Sequence, residues 1–259
     1  MDRRCLFVEA SQLADVRMDG PALRLRAHGR SLQWFPLRRI SRVLCLEVPE
    51  RSMAVWIDVA AQGIPVLFVR PNGKVLAQLV FPGAEPTDLN HWMGAVLADT
   101  EVSQAYDEWL DNWLRHSYGL LGAMSYDRQH AALKADAQVV KLAKQRGIRI
   151  TATTRQWCHT LVGSQILEQA VAIGLPLAGM AVKQLQADLA HAAEVLAIAS
   201  VCRTLESDHT LSDGVGFARF YQRRVEPDVQ AWLQRALYSL NESLERAALY
   251  LSSAPVRAQ

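Results

Sequence analysis

Two patterns of apolar and polar positions divide the chain. Residues 22–28 (Ala-Leu-Arg-Leu-Arg-Ala-His) and 31–35 (Ser-Leu-Gln-Trp-Phe) alternate, which sends successive side chains to opposite faces of a sheet. Apolar runs at 5–9 and 43–47 predict two more strands. Gly20 and Gly29 punctuate these runs as turn signals, because glycine accepts the positive φ of a tight hairpin. Residues 52–62 predict a short helix ended by Gly63, and 65–69 a strand. Pro71-Asn72-Gly73-Lys74 then predicts a hairpin turn into a strand over 75–81.

Pro82-Gly83-Ala84-Glu85-Pro86 predicts a linker, and the period becomes helical beyond it. Helices are predicted over 90–98, 102–116, 128–146, 155–173, 184–202 and 228–251, the first capped by Thr87-Asp88. Val102, Tyr106, Trp109 and Trp113, with Leu110 and Leu114, form an apolar stripe of the kind that packs into a core. The expected class is α+β: a β-sandwich-like domain with one short helix over 1–84, then an all-helical domain over 87–252. Residues 253–259 are expected to form a disordered tail.

Composition narrows the class. Half of the 259 residues are apolar and 21% are charged, as in ordinary globular proteins. No continuous apolar run approaches the roughly 18–20 residues of a membrane span, so no membrane partner is expected. The opening residues hold too short an apolar stretch for a secretory signal, and the expectation is a cytoplasmic protein. Cys5, Cys45, Cys158 and Cys202 are widely spaced and read as free thiols. The net charge is +2, unevenly placed: residues 128–155 carry seven basic side chains and one acidic, while 86–127 carry one basic and seven acidic. The basic block reads as a phosphate-binding surface or as a solvated helix face.

Particular residues resemble a known family. Residues 34–45 (Trp-Phe-Pro-Leu-Arg-Arg-Ile-Ser-Arg-Val-Leu-Cys) are similar to the strand, "I-P-L-x-x-I" turn and second strand of the CRISPR spacer integrases. Residues 53–69 end in Gly63-Ile64-Pro65-Val66-Leu67-Phe68-Val69 and resemble that family's "G-I-P-V-x-F" segment. Residues 72–80 resemble its "x-G-K-x-x-G-x-L-V". In the helical half the likeness is looser: residues 160–180, Leu185-Gln186-Ala187-Asp188-Leu189-Ala190-His191 and Leu133-Lys134-Ala135-Asp136-Ala137 stand where the family has three conserved-type segments of its own. The resemblance implies DNA as substrate and a homodimer built through the β domains. It also implies a small ferredoxin-like adaptation subunit as partner.

That family joins a DNA 3′-hydroxyl to a phosphodiester, with Mg²⁺ or Mn²⁺ held by acidic residues and a histidine. Carried over, the glutamate position falls on Lys134, the histidine position has no histidine, one aspartate matches Asp188, and the next acidic position is His191. Most of the catalytic set is therefore expected to be missing, and no cofactor is expected unless the protein is active. Asp188 and His191 share a helix face and read as a metal pair or as a local hydrogen-bonded pair. The Lys134 ammonium is expected to replace the metal and pair with Asp188. The expected DNA-binding residues are Lys134, Lys141, Lys144, Arg146, Arg149 and Arg155, with Arg219, Arg223 and Arg224 as a second cluster that reads equally as a helix surface. Trp157 reads as core or as a base-stacking group. Arg203 and His209 have the spacing of a metal-independent ribonuclease pair. Three functions stay open: a non-catalytic DNA-binding or complex-forming relative of the integrase, an active divergent integrase or endonuclease that rebuilds its site with Asp136, Glu168 or Glu194, and an assembly protein without a nucleic-acid role.

Overall fold

The computed structural model describes residues 3–49, 52–81, 100–123, 125, 127–173, 180–205 and 214–253. The strand-rich part runs β1 (Arg4–Glu9), β2 (Leu13–Asp19), β3 (Ala22–Ala27), β4 (Gln33–Pro36), β5 (Ile40–Leu46), α1 (Met53–Ala61), β6 (Val66–Val69) and β7 (Val75–Leu79). The helical part follows as α2 (Thr100–Gly119), α3 (Arg128–Gln145), α4 (Ala152–Ala172), α5 (Met180–Thr204), α6 (Gly214–Arg224) and α7 (Glu226–Ser253). The α+β class is as expected.

Two sheets form. β1, β5 and β6 pair in parallel, and β7 closes that sheet antiparallel to β6. β2, β3 and β4 form a three-stranded antiparallel sheet. The four-stranded sheet is covered on both faces. Val8, Val43, Cys45, Val66 and Phe68 point to a core shared with the smaller sheet and with Trp56 and Val59 of α1. The alternate residues Phe7, Leu44, Leu67 and Val69 point to the core of the helices. Burial on both sides explains the uninterrupted apolar character of β5 and β6, which a half-buried strand would not need. The sheet thus shares its second core with the helical part.

Gly20, Gly29, Gly63 and Gly73 all take positive φ, as the turn signals require. Two elements escaped the pattern reading: β2, which pairs with β3 along its length, and helix α6. Ser253 closes α7. The predicted linker 82–86, its Thr87-Asp88 cap, helix 90–98 and residues 254–259 lie outside the described residues. All four cysteines are free, and Cys45, Cys158 and Cys202 are buried. Lys183–Thr204, though interrupted by polar residues, is long and apolar enough to cross a membrane by length and composition alone. In the fold it is the central helix, packed by α2, α3, α4, α6 and α7, and its apolarity serves that core.

Candidate functional site

One row of α5 carries polar, acidic and imidazole side chains. Gln184, Asp188, His191 and Glu194 succeed one another at intervals of four, three and three residues, so they share a face. That face is flanked by α2 and α3 on one side and by α4 on the other, and each neighbour sends polar groups to it.

From α2, the Tyr106 hydroxyl donates to Asp188 Oδ2 at 2.9 Å. Gln184 Nε2 donates to both oxygens of the same carboxylate, at 3.3 and 3.1 Å. Burial and the Asp188 charge push the Tyr106 pKa far above its ordinary value, so the phenol keeps its proton and stays a donor. Tyr118, also of α2, meets His191 Nδ1 at 2.7 Å. Its pKa is pushed up to about 12 by burial and then by the Asp136 charge, so the phenol keeps its proton. The other ring nitrogen of His191, Nε2, faces Asp136 Oδ2 at 3.4 Å. The other oxygen of Asp136 faces Arg155 Nη1 of α4 at 3.7 Å. Beyond it, His159 Nδ1 meets Glu194 Oε2 at 3.2 Å. The Glu194 bond lifts the His159 pKa above its ordinary value, against a smaller downward push from burial.

Helix geometry decides which residue of α3 enters this seam. Ala131, Ala135, Val139 and Ala143 form the buried stripe of α3. Asp136 borders that stripe on the side of α5, while Lys134 is exposed and lies about 200° away around the helix. The expected pairing of Lys134 with Asp188 is therefore replaced. The acid Asp136 is the side chain α3 supplies, and Asp188 is held by Tyr106 and Gln184. Asp188 and His191 likewise take separate side-chain partners. Of the other acids considered for a rebuilt site, Glu168 is committed elsewhere: it binds Arg42 of β5. Trp157 is core, 1% exposed, with its Nε1 donating to the carbonyl of Pro71 at 3.2 Å, so its ring is closed to a base. His209, Ser207 and Asp208 lie outside the described residues.

The basic residues are scattered, not focused. Lys134, Lys141, Lys144, Arg146 and Arg149 are exposed, as are Arg219, Arg223 and Arg224 on the outer face of α6. Lys141 and Arg203 line a cleft of about 250 Å³ with Gln138, Gln145, Leu120 and Leu121. Lys144, Arg203, Arg223 and Arg224 occupy the last turns of their helices, where a cation complements the helix dipole. Arg155 stands in the first turn of α4, as Arg128 does in that of α3, where the dipole disfavours a cation; each faces a carboxylate, Asp136 and Asp111.

The fit of this site to a divalent ion is poor. Among the described residues no group of three or more His, Cys, Asp or Glu side chains is placed to hold a metal. The carboxylate of Asp188 already accepts from Tyr106 and Gln184, and the Arg155 guanidinium faces Asp136, where a metal would compete with it.

No family model matches the sequence, and no curated protein matches it. Solved structures do. A CAS1 protein from Thermotoga maritima superposes with a TM-score of 0.68 over 100% of this chain and 99% of its own, at 10% identity. The chain has the Cas1 fold. A casposase bound to its integration product matches at a TM-score of 0.59 and 11% identity, covering 100% of this chain and 93% of that one. A TtCas1–DNA complex matches at 0.56 and 13%, over 98% and 94%. At these identities the Cas1 fold is what is shared.

Proposed function

We propose that this Cas1-fold chain is an integrase-like DNA-binding protein whose helical seam engages DNA without a divalent-ion centre. One observation carries the reading: the acids and the histidine that line the seam, Asp136, Asp188 and His191, are each bound to other side chains, and the cation among them is Arg155. A guanidinium with free N–H groups binds a phosphate oxygen directly, and such backbone contacts need positive charge but no metal. Two solved neighbours of the same fold, the casposase and the TtCas1 complex, carry DNA. The reading also takes the chain as a homodimer joined through its strand-rich part.

A second reading keeps metal-dependent strand joining or cleavage. It is favoured by the approach of His191 to Asp136 on the face that also carries Asp188. One experiment separates the two: duplex and branched DNA are incubated with the protein in Mn²⁺ and again in EDTA. Salt-sensitive binding without turnover is expected, weakened by Arg155→Ala. Metal-dependent joining or cleavage, abolished by Asp136→Ala or Asp188→Ala, would overturn the first reading. Absence of binding at low salt would leave an assembly protein with no nucleic-acid role.

A further inference from the structure

The face of α3 opposite its buried stripe is not the polar face that a solvated helix shows. Leu133, Ala137, Val140 and Lys144 follow one another at intervals of four, three and four residues, so they form one row along three turns, about 17 Å of helix. Leu133 is 68% and Val140 42% exposed, and the small Ala137 between them is exposed as well. Lys134 and Lys141, seven residues apart, run beside this row on the side away from Asp136, the one acidic residue of α3.

The lysine side leads into the cleft of about 250 Å³, where Lys141 and Gln145 of α3 meet Arg203 of α5 and Leu120 just past α2. Leu120 is 56% exposed. No carboxylate lines the cleft, and among the described residues neither Lys141 nor Arg203 has an ion pair. Its volume falls below the roughly 300–1,000 Å³ of pockets for drug-sized ligands, and it accommodates one large apolar side chain. Row and cleft share Lys141 and form one surface, apolar along its middle and cationic along one border.

Phosphates would use the cations of this surface but leave Leu133, Val140 and Leu120 in water. Apolar residues seven apart with a small residue between them are what a second helix packs against, and unpaired cations at the border call for carboxylates. We propose that this face of α3 docks an acidic amphipathic helix of a partner protein. Its apolar stripe covers Leu133, Ala137 and Val140, its carboxylates meet Lys141 and Arg203, and one of its large apolar side chains fills the cleft. Arg155 plays no part in this surface, so the DNA-binding reading and this inference stand or fall separately.

The test is fluorescence anisotropy with a labelled three-heptad helical peptide, leucine at its a and d positions and glutamate at e and g, against a scrambled peptide of the same composition. Wild type is expected to bind the patterned peptide roughly tenfold more tightly than the scrambled one. Leu133→Ser with Val140→Ser removes the apolar row without changing charge. It is expected to weaken the patterned peptide roughly tenfold and to leave duplex-DNA affinity and sedimentation velocity as in wild type. Lys141→Gln is expected to weaken the peptide a few-fold and to reduce the salt dependence of its binding. All three positions are exposed, and melting curves check that the variants fold. Absence of peptide binding by wild type, equal binding of the two peptides, or unchanged affinity in the double variant overturns the inference. Loss of DNA affinity in the double variant would assign the face to nucleic acid, and loss of a wild-type dimer would assign it to a second copy of the chain; either result also overturns it.

Discussion

Two regions of the molecule set cations against carboxylates from distant parts of the chain, and they do so under opposite conditions. At the junction between sheet and helices, Arg42 of β5 is 1% exposed. It donates from Nη2 to Glu226 Oε2 at 2.7 Å, from Nη1 to Glu168, and from Nε to Ser164 Oγ at 3.0 Å. In the α5 seam, Arg155, Asp136, His191 and His159 are all between about two-fifths and three-fifths exposed. Water screens the seam charges and can be displaced by a ligand, whereas the junction charges have only each other. Burial, not residue type, separates a clamp closed to water from a seam open to it.

The contrast breaks most visibly at Arg42. Arg42→Met strands two carboxylates in a dry interface and is expected to destabilise the fold by about 3–5 kcal/mol in urea titrations. Replacing the whole network, Arg42→Met with Glu168→Gln and Glu226→Gln, is expected to recover much of that loss, because no unpaired charge remains. If the triple variant is no more stable than Arg42→Met, the clamp is not an isolated electrostatic unit.

A smaller effect is expected where the same junction is sealed by packing. Trp157 of α4 lies between Gly73 of the β6–β7 turn and Gly214, the first residue of α6. A Cβ at Gly214 would stand 2.7 Å from Trp157 Cζ2 and 2.9 Å from the carbonyl oxygen of Pro71. Backbone cannot yield as a flexible side chain does, so Gly214→Ala is expected to cost roughly 1–3 kcal/mol by overpacking. Gly163→Ala, a mid-helix change with open space at its Cβ, serves as the control and is expected to raise stability by about 0.5–1 kcal/mol.

The two regions also differ in what the sequence discloses. Alternation located β3 and β4, and the glycines marked their turns, because those features depend on neighbours in the chain. The stripe Ala131, Ala135, Val139 and Ala143 is likewise local, and it alone would have pointed to Asp136 in place of Lys134 as the seam residue of α3. A motif laid over residues 133–137 hid that period. Arg42 was beyond such reasoning: its partners lie 122, 126 and 184 residues away, and an arginine in a strand ordinarily reaches water. The cation–carboxylate pairs of the seam were equally illegible, since they need α3, α4 and α5 side by side.

The mildest way to sharpen the comparison is pH. His159 of the seam is 59% exposed, and its raised pKa comes first from the hydrogen bond to Glu194, opposed by partial burial. A histidine whose folded pKa exceeds its unfolded value stabilises the protein fully below the unfolded pKa, and that contribution fades as pH rises through the folded pKa. The exposed pair is worth roughly 0–1 kcal/mol after screening, so a small decline in stability is expected from about pH 6 to about pH 8. His159→Gln should flatten that component, and added salt should shrink it. A decline of stability that is unaltered in His159→Gln would assign the titration to another group.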